Sequence, residues 1–81
     1  MKEIVIQFEP FVFKQTVFIK DGDNITQEKI PQKELANYIS LQEDLKAVHF
    51  FGNVNFANKL KNECITKYRL KEKDVNILIN K

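Results

Sequence analysis

Few side chains in this chain of 81 residues are equipped for proton or covalent chemistry. There is one histidine, His49, and one cysteine, Cys64. A metal set needs three or four converging ligands, and His49 has no second His or Cys to complete one. Nucleophilic catalysis needs a base held against a hydroxyl or thiol, with a third group orienting that base. His49 and Cys64 fall on different predicted elements, and nothing local orients either. A packed or surface imidazole is the expected role of His49. The remaining candidate is Gly52-Asn53-Val54, at the junction of a predicted strand and helix. The N–H groups of a helix start can hold an anion, although Gly followed by a capping residue is also what a strand-to-helix turn requires. No P-loop or dinucleotide glycine pattern occurs.

The elements that would position these residues can be read from periodicity. Lys2 to Phe8 alternates Ile4, Ile6 and Phe8 against Val5 and Gln7, the mark of a strand, which Glu9-Pro10 interrupts. A second strand runs from Gln15 to Lys20 and a third from Ile25 to Ile30, joined by a turn at Asp21-Gly22-Asp23-Asn24. Pro31 suits the first turn of a short helix over Gln32 to Ser40, in which Leu35, Tyr38 and Ile39 share a face. Lys46 to Phe51 forms a fourth strand and Val54 to Tyr68 a helix, with Phe56, Ala57, Leu60, Cys64 and Tyr68 as its buried stripe. Val75 to Ile79 completes a βαβ unit. The expectation is one domain over 1–81, of order β-β-β-α-β-α-β, of the α/β (α+β) class.

Composition narrows the function classes. Hydrophobic residues make up 43% and charged residues 30%, which argues against a disordered chain. No stretch approaches the ~20 apolar residues of a membrane span, no apolar leader precedes the first strand, and the lone cysteine excludes an internal disulfide. A cytoplasmic protein with a buried thiol is expected. The net charge of +2 is too small for a dedicated nucleic-acid binder. Basic residues do gather late, and Lys59, Lys67, Arg69 and Lys71 are the candidate nucleic-acid contacts. A solvated helix face is the favoured account of them.

The element order resembles the ribonuclease H-like core shared with the actin-like ATPases. That likeness implies a single mixed five-stranded sheet ordered 3-2-1-4-5. In size and in its Lys-, Asn-, Ile- and Phe-rich usage the chain also resembles small phage or mobile-element proteins. Ribonuclease H-like nucleases place metal-binding carboxylates on the first strand, first helix and fourth strand. The matching segments offer Glu9, Glu34 and, at the fourth strand, no acid. Actin-like ATPases cradle phosphate with a glycine-bearing hairpin between their first two strands. Here Glu9 to Gln15 contains no glycine and two phenylalanines. Neither activity is expected, and no cofactor.

Right-handed crossovers in that order place both helices on one face and leave the other bare. Ile4, Ile6, Val17, Ile19, Val48, Phe50, Ile77 and Ile79 are assigned to the helix side. The open side then carries Val5, Phe18, Ala47, Phe51 and Leu78, diluted by Gln7, His49 and Asn76. One-sided sheets ordinarily alternate apolar-in and polar-out, so this composition marks a contact surface. A homodimer is its simplest use, because one patch serves both partners. Phe11 and Phe13 form a second candidate contact, unless a bent strand tucks one of them into the core. The bent strand is the slightly favoured account. The expected function is a non-catalytic protein-interaction or regulatory module, with a protein partner or a second copy. A nucleic-acid binder and a degenerate ribonuclease H-like enzyme are the alternatives.

Overall fold

The alternation of β-branched and aromatic residues produces five strands, and a computed structural model describes residues 1–80. The strands are β1 (Lys2–Gln7), β2 (Lys14–Asp21), β3 (Asn24–Pro31), β4 (Leu45–Phe51) and β5 (Asn76–Asn80). The helices are α1 (Leu35–Ser40) and α2 (Val54–Thr66), and a 3-10 turn over Gln32–Glu34 leads into α1. All strands join one mixed sheet of order β3-β2-β1-β4-β5. β2 and β3 run antiparallel to their neighbours, whereas β1, β4 and β5 are mutually parallel. This is the strand order expected above.

Both helices pack on the same face. Ile4 and Ile6 of β1, Val17 of β2, and Val48 and Phe50 of β4 are buried with Leu35 and Ile39 of α1 and Ala57, Leu60 and Cys64 of α2. Phe8 stacks on Phe50 at 5.6 Å and tilts against Phe56 at 4.9 Å, which closes the core at the carboxyl ends of β1 and β4. The outer edge of the layer is tied by Tyr38 of α1, whose hydroxyl donates to Glu28 Oε2 of β3 at 2.7 Å. Burial, and then this carboxylate, raise the Tyr38 pKa well above its ordinary value.

Several boundaries differ from the expected ones. Pro31 closes β3 in an extended conformation (φ −54°, ψ 137°) and does not open the helix. Proline is tolerated there because β3 is an edge strand that needs no outward donor. α1 therefore begins only at Leu35. α2 stops at Thr66, short of Tyr68, because Arg69 takes a left-handed conformation (φ 59°) and the Leu70 N–H turns back onto the Cys64 carbonyl at 2.9 Å. Tyr68 is consequently only half-buried.

Candidate functional site

The three rows of side chains on the open sheet face follow from ladder register. The middle row crosses all five strands as Gln27, Phe18, Val5, His49 and Leu78. To one side lie Ile25, Lys20, Glu3, Ala47 and Asn76. To the other lie Lys29 paired with Thr16, and Gln7, Phe51 and Asn80 in line. No helix covers these rows among the described residues. Phe18 is 37% exposed, Phe51 36% and Leu78 44%, and Ile25 adds an exposed apolar side chain that the sequence reading missed.

Two of the expected face residues behave differently from an open apolar contact. Ala47 has the register of the open face yet is buried, a methyl group between the longer side chains of its ladder partners Glu3 and Asn76. It offers no contact area, and that part of the expected interface is corrected. His49 is hydrogen-bonded: its Nε2 stands 3.1 Å from Glu3 Oε1. The hydrogen bond to His49 holds the Glu3 carboxyl below its ordinary value, Lys46 and Lys20 assist, and partial desolvation opposes. The pair joins β1 to β4 and puts a polar element inside the apolar row. His49 and Glu3 are 46 residues apart in sequence, and only the parallel pairing of their strands brings them together.

A second feature lies at the carboxyl ends of β1 and β4, where a cleft of about 300 Å³ is bordered by Glu9, Phe11, Gln32, Asn53 and Phe56. Its floor is organised by Gln15, which is 1% exposed and was not foreseen. The Gln15 amide accepts from the Glu9 N–H and donates to the Glu9 carbonyl, both at 3.0 Å, so a side chain completes the pairing that Pro10 prevents the backbone from making. It also donates to Gln32 Oε1 at 3.3 Å. Its alternation with Val17 and Ile19 was the available signal, because that parity places it on the helix side.

This clamp leaves the connection from Glu9 to Phe13 projecting. Phe11 adopts φ 61° and is fully exposed, and Phe13 is exposed as well. The expected bent strand with one tucked Phe is therefore corrected. The clamped turn spends its length in reversing direction, and neither ring reaches the core. A bulky residue in the left-handed region is strained, and the Gln15 clamp on one side and the start of β2 on the other hold it there.

Gly52-Asn53-Val54 lies beside the same cleft. Gly52 has φ 105°, and a Cβ there would stand 3.2 Å from the Phe8 carbonyl oxygen, so the turn demands glycine. Asn53 caps α2, its Oδ1 accepting from the Phe56 N–H at 3.0 Å. Both residues thus have structural duties, and an acidic residue, Glu9, borders the cleft that an anion would enter. Glu34 does not border it, so the two acids singled out for a nuclease site do not share this cleft. Among the described residues, no three His, Cys, Asp or Glu side chains lie together in a manner that could hold a metal ion.

The basic residues divide between two places. Lys59 lies beside Lys33, Phe56 and Glu63 near the middle of α2. Lys67, eight residues or about 12 Å further along the helix, sits with its Nζ 5.4 Å from the Tyr68 ring centre. Arg69 and Lys71 follow in the connection to β5, among Glu72 and Asp74. Cys64 is buried, its Sγ 3.8 Å from the Ala36 carbonyl, and burial pushes its thiol up to about 11. No helix among the described residues is long and apolar enough to cross a membrane. No protein-family model, curated protein or solved structure matches the chain.

Proposed function

We propose that this protein is a non-catalytic protein-interaction module of ribonuclease H-like fold, and that its open sheet face docks a second copy of itself. The observation that carries this reading is the middle row Gln27-Phe18-Val5-His49-Leu78, which is apolar at three of five positions and has no helix above it among the described residues. Five strands at ~4.8 Å spacing and about five residues of length give a face of roughly 400 Å² in plan. A stable interface uses about 800 Å² per partner, so this contact belongs to the weak, reversible class. Non-catalytic action is supported by the residues around the strand carboxyl ends, where one acidic residue, Glu9, lies among amide residues and phenylalanines.

Light scattering across a concentration series tests the proposal. A mass that rises with concentration and is insensitive to salt is the expected result, because apolar contacts are not screened. A monomer at every concentration, or a mass curve that the paired replacement of Phe18 and Phe51 by threonine leaves unchanged, rejects the face as a self-contact.

A further inference from the structure

The strand order makes β3 and β5 the two edges of the sheet, and the edges differ in kind. An unpaired strand edge presents a row of N–H and C=O groups that can template another strand, and proteins normally blunt it with charge or proline. β3 is blunted in this way, carrying Glu28, Lys29 and Pro31. β5 reads Asn76-Ile77-Leu78-Ile79-Asn80, with no charge, proline or bulge. None of its main-chain groups bonds to a turn or loop among the described residues.

The sequence of β5 is also a palindrome about Leu78. In an antiparallel pair of identical strands centred there, Leu78 faces its own copy, Ile77 faces the partner copy of Ile79, and Asn76 faces the partner copy of Asn80. Every cross-strand pair is then like with like. Ile–Ile pairs lie on the helix side, where both residues are half-buried, and Leu–Leu and Asn–Asn pairs lie on the open side. Either hydrogen-bonding phase is satisfied, with about four to six main-chain bonds.

We infer that β5 pairs edge to edge with β5 of a second copy, antiparallel and centred on Leu78, joining two sheets into one of ten strands. The occupant is a second copy because a strand that reads the same in both directions matches itself, pair by pair, about a two-fold axis. The pairing deepens the self-association proposed above by a different surface. It continues the row Phe18-Val5-His49-Leu78 across the axis and doubles the open face to roughly 800 Å², the footprint of a standard interface. With edge and face both engaged, four copies close about perpendicular two-fold axes.

Cysteine pairing reads the register directly. Asn76→Cys and Asn80→Cys variants are purified separately, one with an affinity tag, and mildly oxidised alone and mixed. Opposed residues in an antiparallel pair stand about 4.5–5.5 Å apart between Cα atoms, within disulfide range. The expected result is a tagged–untagged disulfide dimer in the mixture, at least tenfold above the dimer in either variant alone. Residues 76 of two paired copies are four positions out of register and do not meet. Stacked faces lie ~10 Å apart, beyond disulfide reach, so this readout is blind to the face contact. Leu78→Lys, which sets like charges at the axis, is expected to abolish the cross-link when introduced into both partners. No excess in the mixture, or persistence with Leu78→Lys, overturns the edge pairing. It leaves the face contact to be judged by mass.

Discussion

Replacing Phe18 and Phe51 together by threonine removes the rings from the open face while keeping residues suited to strands. Their exposures of 37% and 36%, on side chains of about 200 Å², leave about 70 Å² of each ring in water. Four rings across a two-fold contact offer about 300 Å², worth about 7 kcal/mol if every part is covered. A face contact that covers half of it loses about 3.5 kcal/mol for each facing pair of copies in the double variant, a weakening of about 300-fold per pair. The assay is light scattering over a dilution series, with thermal unfolding to verify that the variant is folded. The wild type is expected to climb towards four copies, and the variant to stop at the two that the β5 edges hold. A folded F18T/F51T protein that follows the wild-type mass curve would refute the reasoning, because the largest exposed rings would then contribute nothing.

Three other outcomes follow from particular geometries. Gly52→Ala places a Cβ 3.2 Å from the Phe8 carbonyl oxygen at φ 105°, and should cost about 1–3 kcal/mol, read as a fall of ~5–20 °C in Tm; an unchanged Tm would contradict the described turn. Cys64, buried and with its thiol pushed up to about 11, should react with a disulfide reagent at least 100-fold more slowly in the folded protein than in denaturant, and equal rates would mean that the α2 stripe is open to water. Glu3→Gln keeps an acceptor oxygen for the His49 bond but removes the carboxylate charge. A carboxyl held below its ordinary value of 4.5 stabilises the fold above that range and loses the effect as pH falls through its lowered value. A small Tm deficit is therefore expected in the variant above the ordinary carboxyl range and should vanish once the pH has fallen through the lowered value; a deficit that persists in acid would assign the effect to something other than this charge.

The faces of the sheet were legible because strand parity is strict. Once Ile4, Ile6, Val48 and Phe50 turn inward, Val5, His49 and Phe51 must turn outward. Parity does not report shielding, and so Ala47 was counted as surface although longer neighbours cover it. Nor does it report which polar residue is buried by intent. Gln15 shares the parity of Val17, but its role depends on the Glu9 backbone lying within reach of its amide. The projection of Phe11 and Phe13 follows from that clamp and could not be read ahead of it. Glu3 and His49 each resemble an ordinary surface residue until β1 and β4 are placed side by side. The end of α2 was misplaced because Arg69, a residue with no special liking for the left-handed region, supplies the reversal that glycine normally provides.

The unequal edges of the sheet carry a consequence for how assembly ends. A chain with two adhesive edges polymerises, since each addition exposes a fresh site and fibres result. Here the edge contact consumes β5 on both copies, and both outer rims of the product are β3, with its proline and its charged Glu28 and Lys29. Addition along the sheet therefore happens once and then has no site left. An uncharged Asn-Ile-Leu-Ile-Asn strand, which would be an aggregation hazard in the middle of a repeating array, becomes a self-limiting joint because the other end of the same sheet is a terminator.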